Sequence, residues 1–420
     1  MSEKEKEIFV YDSFQFSEPV LMGVLYIDSQ RGNESCSFEY AHSWLRQAFL
    51  DILIDPELFY YEGRQFPSGK KMFGVFADAS PDRWGRVLMN KRERIAADRE
   101  NRKPKKLHNS DYLLGVYDET RMGGIRFKAD PEGAFLSNDS DSAVPPWASL
   151  RTLEEASRRF EEDGGGLSEK WLNQLIRPGS SLGGARPKAT VIDPAGQLWI
   201  AKFPSQNDEN DTGAWEKVVH DLAYMCGLRV PEAKMERFSR LGSTFLVKRF
   251  DREGNRRIHF ASSMTLLNKA DGASAEDGIS YLDLADFIRA SGAEPEADLA
   301  ELWRRIVFNM AVTNSDDHLR NHAFLFTSTG WRLSPLYDVN PVPYGDELSL
   351  NVDESDNRIS LDLAYSVAER FGFSLKDAKK EAESILQTVR GSWRRIAVQC
   401  RLTHGQMEEM APAFRLCDLC

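Results

Sequence analysis

Leu299, Leu302, Trp303, Ile306, Val307, Met310 and Ala311 recur at intervals of three and four residues and form one apolar stripe. The spacing predicts a helix that ends near Ala311, where apolar repetition gives way to Asn-Ser-Asp-Asp-His-Leu-Arg-Asn-His, residues 314 to 322. A short apolar run follows from Ala323 to Phe326, then a polar turn at Ser328 to Gly330, then Trp331 to Asp338. The pattern reads helix, polar loop, hairpin, loop. Upstream, residues 7 to 28 alternate and are rich in Val, Phe, Tyr, Leu and Ile, which predicts strands, and Ser37 to Tyr40 continues them. Ala41 to Leu50 is expected to be a short helix, Pro81 to Trp84 the opening of another, and Met122 to Phe127 a closing strand. Residues 128 to 147, with Pro, Gly, Asn, Asp and Ser and little periodicity, read as a linker. Leu150 to about Phe160 is expected to be helical and Gly164 to Gly166 to be a turn. Strands follow at Ala189 to Ile192 and Gln197 to Phe203, a helix begins near Ala214, and a strand runs from Phe245.

The 309 to 338 layout is similar to the catalytic segment of a protein kinase. There an Asp accepts the substrate hydroxyl proton, an Asn five residues later holds magnesium, and an Asp beyond the next hairpin holds it too. Asp316 and Asn321 have that spacing, and Asp338 supplies the third group. Two blander readings exist. The loop could be an ordinary cap and turn, or His318 and His322, four apart, could be zinc ligands on one helical face. Against zinc, Leu319 stands where a Glu is needed and no third ligand is evident. The kinase parts also occur upstream and in order: a glycine loop within Pro178 to Lys188, then Lys202 at the end of a strand, then Glu216 on the next helix, placed to pair with it. Ser68 to Lys71 is a Walker-like decoy, because Gly63 is one position too far and Lys71 replaces the Ser or Thr.

Composition narrows the class. The chain has 420 residues, 41% hydrophobic and 28% charged, which suits a soluble protein of two or three domains. No run approaches the roughly 18 apolar residues of a membrane span, and the charged start lacks the apolar region of a signal peptide. The scattered cysteines at 36, 226, 400, 417 and 420 then suggest free thiols in a cytoplasm, with Cys417 and Cys420 an incidental pair. A net charge of −11 argues against a protein that covers nucleic acid with its whole surface. Arg83 to Lys106 holds ten Lys or Arg against three Asp or Glu, an island that could touch phosphates or an acidic partner, or be a solvated helix and loop.

Five motifs together resemble the HipA family, bacterial Ser/Thr kinases that act as toxins of toxin–antitoxin modules. They are Ser181-Leu-Gly-Gly-Ala-Arg-Pro-Lys188, Ala201-Lys-Phe-Pro204, Lys248-Arg-Phe-Asp-Arg252, Asn314-Ser-Asp-Asp-His-Leu-Arg-Asn321 and Leu336-Tyr-Asp-Val339. The resemblance covers nearly the whole chain. It implies an α+β, two-lobed protein-kinase-like fold with an extra N-terminal α/β subdomain and a mainly helical C-terminal lobe. The expected boundaries are 1–127, a linker at 128–147, an N-lobe at 148–250 and a C-lobe at 251–420.

By motif position the resemblance implies that Asp316 is the catalytic base and that Asn321 and Asp338 are magnesium ligands. It gives ATP the loop Gly183, Gly184, Ala185, Arg186, Pro187 and Lys188, together with Lys202, Lys248, Arg249, Phe250, His318 and Tyr337. Ser181, or its neighbour Ser180, falls on the family's autophosphorylated serine. Pro187 departs in chemistry, since it removes one N–H that could serve a phosphate. The implied cofactors are ATP and Mg2+. The implied partners are a protein substrate such as an aminoacyl-tRNA synthetase and a small helix-turn-helix antitoxin, with DNA reached only through the antitoxin and no membrane. A small-molecule kinase and a non-catalytic nucleotide-binding co-regulator are the alternative functions.

Overall fold

The computed structural model describes residues 5–30, 33–48, 52–136, 144–163, 175 and 186–419. The chain forms two compact units, Met1–Ser205 with Arg249–Ala261, and Gln206–Lys248 with Ser262–Cys420.

The first unit opens with a four-stranded antiparallel sheet. Its spatial order is Asn33–Tyr40, Val20–Gln30, Lys6–Asp12 and Ile125–Lys128. Ile8, Val10 and Asp12 face inward while Phe9 and Tyr11 are half-buried, the period-two alternation of a strand with one covered face. Gly23 is required where Val20–Gln30 meets Asn33–Tyr40: a Cβ there would sit 2.2 Å from the Glu39 carbonyl oxygen and 2.5 Å from the Phe38 ring. The buried Asp12 carboxylate accepts the Trp44 indole N–H at 3.0 Å and the amides of Phe14 and Gln15, so it ties strand, helix and turn together. The helix expected over 41–50 is one turn, His42–Leu45; without a side-chain cap or a helical apolar period it stops there.

Arg83–Arg99 is the long helix of this unit, and Asp82 caps it by accepting from the Gly85 amide at 2.8 Å. This helix carries most of the basic island, of which Arg102 is engaged by Glu93 and Glu100. Leu150–Asp163 is a second amphipathic helix. Lys188–Ile192 and Leu198–Lys202 then pair as an antiparallel hairpin with Lys188 opposite Lys202. Asp193 fastens its turn by accepting from the Ala195 and Gln197 amides and the Trp199 indole, with Gly196 at φ +80°.

Residues 249–261 complete the first unit through buried charge. Asp251 accepts from Arg249, Arg252 and the Gly123 amide. Burial alone would raise its carboxyl, but the two guanidiniums outweigh burial and hold it below the carboxylate range. Arg121 donates to the carbonyls of Ala79, Leu113 and Val116.

The second unit is mainly helical. Thr212–Met225 packs along Leu375–Gln399, and Trp215, Trp393 and Phe414 form an aromatic cluster there, the last two stacked at 4.5 Å. Pro295–Ala311 is its central helix and buries far more than one stripe: Glu301, Arg305, Phe308 and Asn309 are inside as well. The polar ones are internally paired. Arg305 bonds Glu301 and the Ser334 carbonyl, while Asp298 accepts from Arg229, Arg332 and the Leu333 amide. Those bonds clamp the Ala323–Thr327 and Gly330–Leu333 hairpin onto the helix. Among the described residues no helix is long and apolar enough to cross a membrane.

Candidate functional site

The helix Pro295–Ala311 ends in a turn that the sequence cannot continue. Thr313 takes a left-handed φ of +49°, and its hydroxyl is anchored on the Ala413 carbonyl at 2.7 Å. The chain then folds tightly. The His318 amide donates to the Asp316 carbonyl at 3.0 Å, and the Asn321 amide donates to the His318 carbonyl at 2.8 Å. Asn321 Nδ2 also donates to the Asp316 carbonyl at 2.9 Å, which fixes the orientation of its side-chain amide. Its Oδ1 is buried and has no partner among the described residues.

Asp316 is exposed, directly beside this anchored turn. Its carboxyl is raised from the ordinary value, chiefly by partial desolvation, with His318 acting in the opposite sense and Asp338 and Asp317 adding to the rise. Asp338 is therefore an electrostatic neighbour of Asp316, although the hairpin separates them in sequence. Asp338 has φ +59°, a left-handed conformation uncommon outside glycine, and the flanking chain fixes it. The Tyr337 hydroxyl donates to the Arg320 carbonyl at 2.7 Å, the Leu336 amide to the Arg229 carbonyl, and the Val342 amide to the Thr313 carbonyl.

Beneath the loop lies a group that sequence spacing did not single out. Asp317 is fully buried, and its Oδ2 accepts from Tyr281 Oη at 2.6 Å, Asn309 Nδ2 at 2.7 Å and His322 Nε2 at 2.8 Å. Burial would raise this carboxyl, but His322 and the two hydrogen bonds from His322 and Tyr281 outweigh it, so its pKa is lowered. His322 is thus turned inward onto Asp317. The signal for the group was the Asp-Asp doublet, of which the kinase pattern uses only the first member. The partner Tyr281 is 36 positions away and has no local signature.

Magnesium suits the donors on this face: an amide oxygen at Asn321 without a partner among the described residues, and a carboxylate at Asp338. Among the described residues no three His, Cys, Asp or Glu side chains converge as a self-sufficient metal site. A magnesium ion here would draw its remaining ligands from water and substrate phosphate.

The other expected residues are distributed between the units. In the second unit His318 joins the Asp316 turn, Lys248 ends the strand Thr244–Lys248, and Glu216 is buried on Thr212–Met225. In the first unit, Lys202 ends a strand and is largely buried. Lys188 forms a buried ion pair with Asp82, Arg186 Nε donates to the Phe203 carbonyl, and the Pro187 carbonyl accepts the Phe203 amide. Arg249 is buried, spending its donors on Asp251, Thr120 and Arg121, and Phe250 lies against Phe260. Ser180, Ser181, Gly183, Gly184 and Ala185 lie outside the described residues.

Comparison with known proteins adds the family dimension. The family model for the HipA-like C-terminal domain matches residues 180–394. The chain is 32% identical over 157 residues to the candidate kinase Y4mE of Sinorhizobium fredii, covering 35% of each protein. It is 25% identical over 296 residues to the serine/threonine-protein kinase toxin HipA of Shewanella oneidensis, covering 61% of this chain and 66% of that one. The chain thus spans between about a third and two thirds of the length of the curated relatives it matches. In structure it is similar to the HipA of Shewanella oneidensis solved with HipB and operator DNA. The TM-score is 0.69 at 16% identity, over 98% of this chain and 97% of that one, a likeness of fold that places the architecture among kinase-like α+β proteins.

Proposed function

Because this chain belongs to the HipA family, we propose that it is an ATP- and magnesium-dependent serine/threonine protein kinase acting as a toxin. The observation that carries the reading is the anchored turn: Asn321 is fixed by the Asp316 carbonyl, its own Oδ1 has no partner among the described residues, and exposed Asp316 stands beside it with Asp338 as its charged neighbour. In this reading Asp316 orients the substrate hydroxyl and takes its proton as the oxygen attacks the γ-phosphorus, and ADP leaves. Asn321 and Asp338 would hold magnesium, which when bound offsets phosphate charge. Lys202 and the Gly183 to Lys188 segment would serve the phosphates, and Lys248, Phe250, His318 and Tyr337 would serve the nucleotide, whereas the Arg249 guanidinium is already spent on Asp251, Thr120 and Arg121.

The proposed substrate is a protein of translation such as an aminoacyl-tRNA synthetase, and Ser181 or Ser180 is the proposed site of autophosphorylation. The similar HipA was solved with HipB and operator DNA. A small DNA-binding antitoxin is accordingly the proposed partner here. The test is transfer of label from γ-labelled ATP to protein, with magnesium and with a chelator. Label on protein only with magnesium supports the reading, and ATP turnover without labelled protein would favour a small-molecule kinase.

A further inference from the structure

Each of the three proposed chemical groups is flanked in sequence by a member of one polar network centred on a buried carboxylate. Asp317 follows Asp316, His322 follows Asn321, and Asn340 lies two residues past Asp338. The centre is Asp317 Oδ2, which accepts from Tyr281, Asn309 and His322 at 2.6, 2.7 and 2.8 Å. An ionised carboxylate only accepts, so all three neighbours must donate. Asn309 extends the chain of bonds, since its Oδ1 accepts from Asn314 Nδ2 at 3.1 Å and Asn314 Oδ1 accepts from the Asn340 amide at 3.4 Å. The His322 carbonyl in turn accepts the Ser263 amide at 2.9 Å. The helix Tyr281–Ser291, the helix Pro295–Ala311, the loop and the segment after Asp338 are thereby referred to one buried point.

We propose that Asp317 is a positioning residue for phosphotransfer: with Tyr281, Asn309 and His322 it fixes where Asp316 and Asn321 stand, and through Asn314 it reaches the Asp338 segment. Asp317 touches no substrate in this role. The catalytic part of the inference rests on the kinase reading, because a displacement of about 1 Å in the attacking geometry can cost on the order of 10²-fold in rate. A network that merely stabilised the fold would instead lower the amount of active protein without altering the activity of each folded molecule.

The test uses the full chain and the isosteric variant Asp317→Asn, which removes the negative charge that three donors converge on, together with Tyr281→Phe, which removes one donor and keeps the ring. Three quantities are read: kcat and KM for ATP normalised to folded protein, and hydrogen exchange of the amides of residues 314–322 against those of Pro295–Ala311. Asp317→Asn should lower kcat by about 30- to 100-fold with KM for ATP within about threefold. Loop exchange should rise by at least about tenfold while the helix keeps its protection. Tyr281→Phe should move the same quantities in the same direction by less, and it decides the matter should Asp317→Asn not fold. Unchanged kcat per folded molecule, or loss of protection equally in loop and helix, would overturn the positioning role. A wild-type protein that transfers no phosphate, beside an Asp317→Asn loop that still loosens selectively, would overturn the kinase reading while upholding the network.

Discussion

Lys188 Nζ lies 2.9 Å from Asp82 Oδ2, and the two side chains are only 4% and 1% exposed. The strand lysine at the end of the proposed phosphate loop is thus joined to the residue that caps the Arg83–Arg99 helix. Removing one partner of a buried pair leaves an uncompensated charge, which costs about 3–5 kcal/mol. Lys188→Met should therefore destabilise the protein by about that amount. Adding Asp82→Asn should restore part of the loss. Denaturant unfolding of both variants checks this, and a Lys188→Met protein of full stability that only binds ATP less well would assign Lys188 to the nucleotide instead.

His259 makes a pH prediction. It is buried and stacked on Phe14 at 4.5 Å, and burial pushes its imidazole down to about 3. The folded state keeps it neutral while the unfolded chain protonates it near 6.5. The stability it contributes is complete above about pH 6.5 and is lost as pH falls toward 3. The loss is up to about 1.4 kcal/mol per pH unit, the slope of one proton. His259→Phe should flatten the fall in unfolding free energy between neutral and acid pH by up to one proton. Parallel curves for variant and wild type would show that His259 does not set that slope.

Asp338 is the proposed carboxylate ligand of magnesium. Asp338→Ala should weaken ATP binding in magnesium by at least about tenfold, since losing even a group that only orients a metal ligand costs about that much. Nucleotide affinity in a chelator should be unchanged. Calorimetric titration under both conditions checks the pair, and equal affinities for variant and wild type in magnesium would remove Asp338 from the metal site.

The sequence made the skeleton of this site legible because its signals are short-range. The helical period from Leu299 to Ala311, the polar break after it and the turn at 328–330 all reappear at those places, as the helix Pro295–Ala311 and the hairpin Ala323–Leu333. The five-residue spacing of Asp316 and Asn321 became a real contact, through the Asp316 carbonyl. What stayed hidden depends on distant chain. Arg249 follows a strand and reads locally as a hinge residue, yet its donors are taken by Asp251 and by carbonyls 128 and 129 positions away. Asp317 reads as a spare acid beside Asp316, and only the fold brings Tyr281 and Asn309 to it. No periodicity encodes such pairings.

Single-turnover transfer from γ-labelled ATP by Asp316→Gln tests most directly whether Asp316 is the base of a phosphotransfer reaction. A positioned general base contributes about 10²- to 10⁴-fold. The variant should be slower by at least the lower figure, at wild-type stability and with ATP affinity within about threefold. It should also remain unlabelled when incubated alone, whereas the wild type gains one phosphate on Ser181 or Ser180. Transfer by Asp316→Gln at a rate near that of the wild type would contradict the account.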